Sequence, residues 1–141
     1  MNKRMIGCFA ALVTARSSEA YITGLAAVGG ATASRITAPD SSKVNAPVVV
    51  TVSATGSISE GCNRPAGFKV QEAGSVSRIE IFHRYPRGDV TCPAAPKEYY
   101  ETVTLRFPTP GVKTIRLIGV SSWRGEGSPL DSVQRTITIT P

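Results

Sequence analysis

From residue 34 onward the chain alternates apolar and polar residues with a period of two and shows no helical period, which restricts it to a β fold. The clearest run is 46–54, where Val48, Val50, Val52 and Ala54 share one side and Val49, Thr51 and Ser53 the other. Segment 76–85 sets Ile79, Ile81 and His83 on one face, with Arg78, Glu80, Phe82 and Arg84 opposite. In 101–107, Val103, Leu105 and Phe107 point inward; in 113–120, Ile115 and Leu117 do. The closing run 132–140 gives Val133, Ile137 and Ile139 to one face and Thr136, Thr138 and Thr140 to the other. Shorter pieces at 35–38 and 68–70 complete the set. Thirteen Gly and ten Pro in 141 residues cut these runs at short intervals, as a turn-rich β protein requires. About seven short strands of this kind predict a two-sheet sandwich, with a β-barrel as the alternative architecture.

Residues 1–33 are of different character. Lys3 and Arg4 form a cationic start, and 5–15 is an apolar stretch of the length of a signal-peptide core. Val13-Thr14-Ala15 offers one small-residue cleavage site. A second apolar stretch, 21–30, precedes another at Ala31-Thr32-Ala33. Cleavage there would start the mature chain at Ser34, beside the first strand-like piece, and this is the favoured site. Against it, Arg16 and Glu19 interrupt what would be one long apolar core. The expected organisation is therefore a signal peptide, or a retained N-terminal extension, over 1–33 and one β domain over 34–141. Neither apolar stretch reaches the roughly 20 residues of a bilayer span, so no stable membrane span is expected. Cys8 lacks the preceding apolar region of a lipidation box.

Removing 1–33 also removes Cys8 and leaves Cys62 and Cys92. An even pair in an exported chain predicts one disulfide. Closing a loop of about 30 residues contributes roughly 3 kcal/mol by restricting the unfolded chain.

The stretch 104–117, Thr-Leu-Arg-Phe-Pro-Thr-Pro-Gly-Val-Lys-Thr-Ile-Arg-Leu, resembles the strand–corner–strand of bacterial immunoglobulin-like and polycystic-kidney-disease-type (PKD) domains. There a t-F-p-x-p-G-x-Y-x-V-x-L pattern carries the chain from one sheet to the other. Phe107 fills the core position, Pro108-Thr109-Pro110 sets the crossing, and Gly111 supplies a backbone position free of side-chain conflict. Where the pattern has Tyr, this chain has Lys113. The closing run 136–141 resembles the last strand of such domains. The resemblance covers roughly a quarter of the chain. It implies an immunoglobulin-like sandwich, found outside the cytoplasm, that binds, spaces or displays, and it implies no catalytic residue.

The residues point the same way. One histidine, His83, leaves little room for a Ser-His-Asp or Cys-His arrangement, and no nucleophile elbow, zinc-protease motif or phosphate loop occurs. No catalytic residue, cofactor or metal site is expected. Beyond residue 33, thirteen basic residues face nine acidic ones without forming a run, so no nucleic-acid partner is expected. Arg87-Gly88-Asp89 is an adhesion-type tripeptide in an expected loop, and equally ordinary turn chemistry. Trp123 and Arg124 fall in another expected loop, as contact residues often do. Of Tyr99 and Tyr100, one is expected to pack and one to be exposed. These features predict an exported, non-enzymatic binding or cell-envelope module with a protein or surface-glycan partner, working through the loops that hold Cys62, Arg87–Asp89, Cys92 and Trp123–Arg124. The alternatives are an accessory domain that joins its partner by strand pairing, and a small hydrolase dependent on His83.

Overall fold

A computed structural model describes residues 21–29, 35–56, 62, 64–87, 97–121 and 129–141. The described residues form strands and no helix, in the order β1 (Tyr21–Leu25), β2 (Ile36–Thr37), β3 (Ser41–Lys43), β4 (Val48–Gly56), β5 (Arg64–Ala73), β6 (Val76–Pro86), β7 (Lys97–Leu105), β8 (Gly111–Val120) and β9 (Leu130–Thr140). They fold into two layers. One is a three-stranded sheet in the order β2-β4-β7; the other runs β1-β6-β8-β9-β3, with β5 on the remaining edge of β6. The chain is thus an all-β, sandwich-like protein. Among the described residues no helix is long and apolar enough to cross a membrane.

The period-two pattern sets the core. Val48, Val50, Val52, Ala54, Val103 and Leu105 from the small sheet meet Ile79, Ile81, Ile115, Leu117, Ile137 and Ile139 from the large one. Each of these Val, Leu and Ile side chains contributes roughly 1.5–3 kcal/mol by leaving water. Phe107 is buried at the corner after β7, as its spacing predicts. Gly111 has φ 112°, a conformation that L side chains rarely adopt, which accounts for glycine at this step of the corner. Lys113 buries its stem on the core face, and its Nζ donates to Thr109 Oγ1 at 2.7 Å. The amine ties down the corner from the position at which the resembling pattern has a tyrosine.

Two pairings are parallel: β6 with β8, and β3 with β9. The first follows from the order of the β5–β6 hairpin. Its second strand, not its first, lies beside β8, so the chain crosses through β7 in the other layer between two strands of the same direction.

The expected boundary at residue 34 does not coincide with the edge of the folded unit. Tyr21–Leu25 pairs antiparallel with Pro86–Phe82 of β6. Ala26, Ala27 and Val28 are 0%, 2% and 0% exposed. Ala26 N–H donates to Ile81 O and its carbonyl accepts from Val120 N–H, so the segment fills the gap where β6 and β8 diverge. Ala27 then bridges Thr55 of the small sheet and Val120 of the large one. An apolar run of ten residues has the composition of a signal core and of a buried strand alike, and here residues 21–29 are a strand and its buried continuation.

Candidate binding pole

The registers put the strand ends at two poles of unlike character. At one, the turns are short. Ala73 pairs with Val76 around Gly74-Ser75. Asn45, with φ 59°, donates its N–H to Phe107 O, which closes the 44–47 turn against the 106–110 corner. Arg106 Nη1 reinforces this by donating to Asn45 O at 2.7 Å.

The other pole gathers the ends that bracket the long connections. Gly56 pairs with Lys97, Arg64 with Arg84, and Val120 with Leu130. The Ala27 bridges hold Thr55 and Val120 to the same point, and β6 and β8 run in the same direction. Three long connections, 57–63, 87–96 and 121–129, therefore start and finish at one pole. Those connections contain Cys62, Arg87, Gly88, Asp89, Cys92, Trp123 and Arg124. Cys62 is 2% exposed and Arg87 is exposed at the end of β6. Gly88, Asp89, Cys92, Trp123 and Arg124 lie outside the described residues, as do the two expected cleavage sites.

Beneath this pole the interior is polar. His83 is fully buried, with its ring edge-on to Tyr85 at 3.9 Å between centroids. Neither ring nitrogen has a hydrogen-bond partner. Gly24 on β1 and Pro65 on β5 flank it in register and bring no polar side chain. Burial depresses His83 from 6.5 to about 4, so the ring is neutral at pH 7. The alternation places it on the inward face beside Ile79 and Ile81, and it is buried completely there. Tyr85 Oη donates to Leu25 O at 3.0 Å and ties β1 down. Tyr99 packs inward with its hydroxyl buried and unpartnered, and burial pushes its phenol well above the ordinary value, with Tyr85 and Glu101 adding to the effect.

On the outer face of the small sheet, a second group gathers near the same pole. Arg35 is buried; its Nη2 donates to Thr55 Oγ1 at 2.5 Å. Its Nη1 lies 3.2 Å from Glu98 Oε1 without hydrogen-bonding alignment, so this contact acts as charge pairing only. Tyr100 Oη donates to Glu98 Oε2 at 2.9 Å, and this hydrogen bond raises the Tyr100 phenol above its ordinary value. Tyr100 is 63% exposed while Tyr99 is buried, the division the alternation predicts. Arg35 gave no sequence signal, because its partners Thr55 and Glu98 are distant along the chain and meet only through the β4–β7 pairing.

Among the described residues no group of three or more His, Cys, Asp or Glu gathers to hold a metal ion. Near this pole stand the exposed ring of Tyr100, the Glu98 carboxylate and the exposed guanidinium groups of Arg64, Arg84 and Arg87. No family model, no curated protein and no solved structure matches the chain.

Proposed function

We propose that this protein is an exported, non-enzymatic module of immunoglobulin-like architecture that binds a protein or glycan of a cell surface or envelope through its long-connection pole. The observation that carries this reading is the convergence of three long connections, 57–63, 87–96 and 121–129, on one pole, while the other pole is closed by short turns. Loops held by a rigid sandwich vary freely and carry contact residues without cost to the core. Burial of Cys62 supports a Cys62–Cys92 disulfide as a staple across two of these connections. The sequence resemblance of 104–117 to immunoglobulin-like and PKD-type corners supports the class.

Adhesion of the labelled full-length protein to whole cells, compared with variants of each pole, tests this. Trp123→Ala and Asp89→Ala are expected to reduce adhesion, by tenfold or more if either is a contact centre. Lys69→Ala, remote on exposed β5, is expected to leave it unchanged. Equal adhesion by all three variants sinks the reading.

A second reading has its own observation. Among the described residues β7 pairs only with β4, over nine residues without a register shift, which leaves an uninterrupted strand edge. Such an edge suits a partner that adds a strand. Indifference to the loop variants, with loss of binding on Thr102→Pro, would favour it.

A further inference from the structure

Segment Tyr21–Gly29 is fitted into the sandwich more closely than an appended strand would be. Its Ala26–Val28 portion lies between β6 and β8 and takes hydrogen bonds on both sides. Ala26 N–H donates to Ile81 O at 2.8 Å, Val120 N–H to Ala26 O at 2.9 Å, and Val28 N–H to Val120 O at 2.9 Å. Thr55 N–H adds a bond to Ala27 O at 2.8 Å from the opposite sheet. The passage leaves no space for side chains on either wall. A Cβ on Gly119 would stand 2.3 Å from Ala26 O, and one on Gly29 would stand 2.0 Å from Ser121 O. Both are far inside any contact that real Cβ atoms make, so glycine at these two points is a condition of the segment's being there.

We infer that export processing cuts the chain before Tyr21, at the Val13-Thr14-Ala15 site, and that Tyr21–Gly29 stays in the mature protein as its first strand. Cutting after Ala33 instead would remove the element that joins the two sheets. It would strip partners from Ile81 O, Val120 N–H and Thr55 N–H and uncover Ile81 and the Gly119 wall. A folded domain that buries Ala26, Ala27 and Val28 needs them in the chain that leaves the membrane. The inference rests on the export reading above and selects between the two small-residue sites that the sequence offers.

Intact-mass measurement of the full chain recovered from an exporting bacterial host tests it. The expected species begins at Arg16, and a start anywhere from Arg16 to Tyr21 supports retention of the strand. Ala15→Lys, which places a large charged residue where the peptidase requires a small one, is expected to abolish that species. Ala33→Lys is expected to leave it unchanged. A species beginning at Ser34, lost on Ala33→Lys, overturns the inference while leaving export intact. A full-length chain with Met1 in place overturns the export reading itself.

Discussion

Gly119→Ala is expected to lower the unfolding free energy by about 3 kcal/mol, although it adds a single methyl group. The added carbon meets backbone before side chain: Ala26 O at 2.3 Å, then the two Val28 methyls at 2.7 and 2.9 Å. A flexible side chain could move aside, but a carbonyl held by Val120 N–H cannot shift without giving up that bond. The substitution therefore acts on the fit of the first strand rather than on β8 alone. A urea titration reads it as a lower midpoint at unchanged slope. Gly74→Ala probes a different cost. Nothing lies within 4 Å of its added carbon, and the penalty there is the positive φ of 61°. If Gly119→Ala unfolds at the wild-type midpoint, the close passage of Ala26 past β8 is not a feature of the protein.

The second large effect is expected in acid. His83 is depressed from 6.5 to about 4 by burial, so between those values the unfolded chain binds a proton that the folded chain refuses. Stability is therefore full above pH 6.5 and falls as pH drops through the window. It levels off below pH 4. A shift of this size corresponds to about 3 kcal/mol lost by pH 4, a large part of a typical domain's total. Tyr85 faces the ring, and Gly24 and Pro65 flank it in register; none supplies an acid to offset the charge. His83→Leu removes this titration and also the two unpartnered nitrogens. It is expected to match or exceed wild-type stability at pH 7 and to exceed it by about 3 kcal/mol at pH 4. Carboxylates that titrate in the same range affect both proteins equally, so the difference between them isolates His83. A constant difference from pH 7 to pH 4 would mean that the ring is charged, solvated or paired in the folded state.

Much of the sandwich is legible in the sequence because one rule governs it. Val48, Val50, Val52 and Ala54, Val103, Leu105 and Phe107, and Ile137 and Ile139, all read as inward from the alternation, are buried, while Val133 of the closing run is half-buried. The rule fails where the side chains no longer report the environment. Tyr21–Gly29 has no clean alternation because its second half is enclosed on both sides, and apolar composition alone does not distinguish an enclosed strand from a signal core. Gly119 and Gly29 look like ordinary glycines in the sequence, since a close approach of two backbones leaves no trace in composition. Only 68–70 of β5 stands out in the sequence, because most of Arg64–Ala73 is exposed, and which strand of the β5–β6 hairpin lies beside β8 is decided by packing across the two layers. The candidate site divides similarly. Turn chemistry in the sequence leads one to expect Arg87-Gly88-Asp89 in a loop, and Trp123-Arg124 stand in a polar stretch read likewise. That their connections share one pole follows only from the strand directions and from the Ala27 bridges.

Those bridges join the sheets and bring the ends of β4 and β8 together beneath the long connections. A nuclear Overhauser spectrum of the isotope-labelled full chain reads them directly. Cross-peaks from Ala27 to both Thr55 and Val120 are expected. Cross-peaks to neither, or to one of the two alone, would contradict this joining of the sheets, and the single binding pole would lose its structural basis.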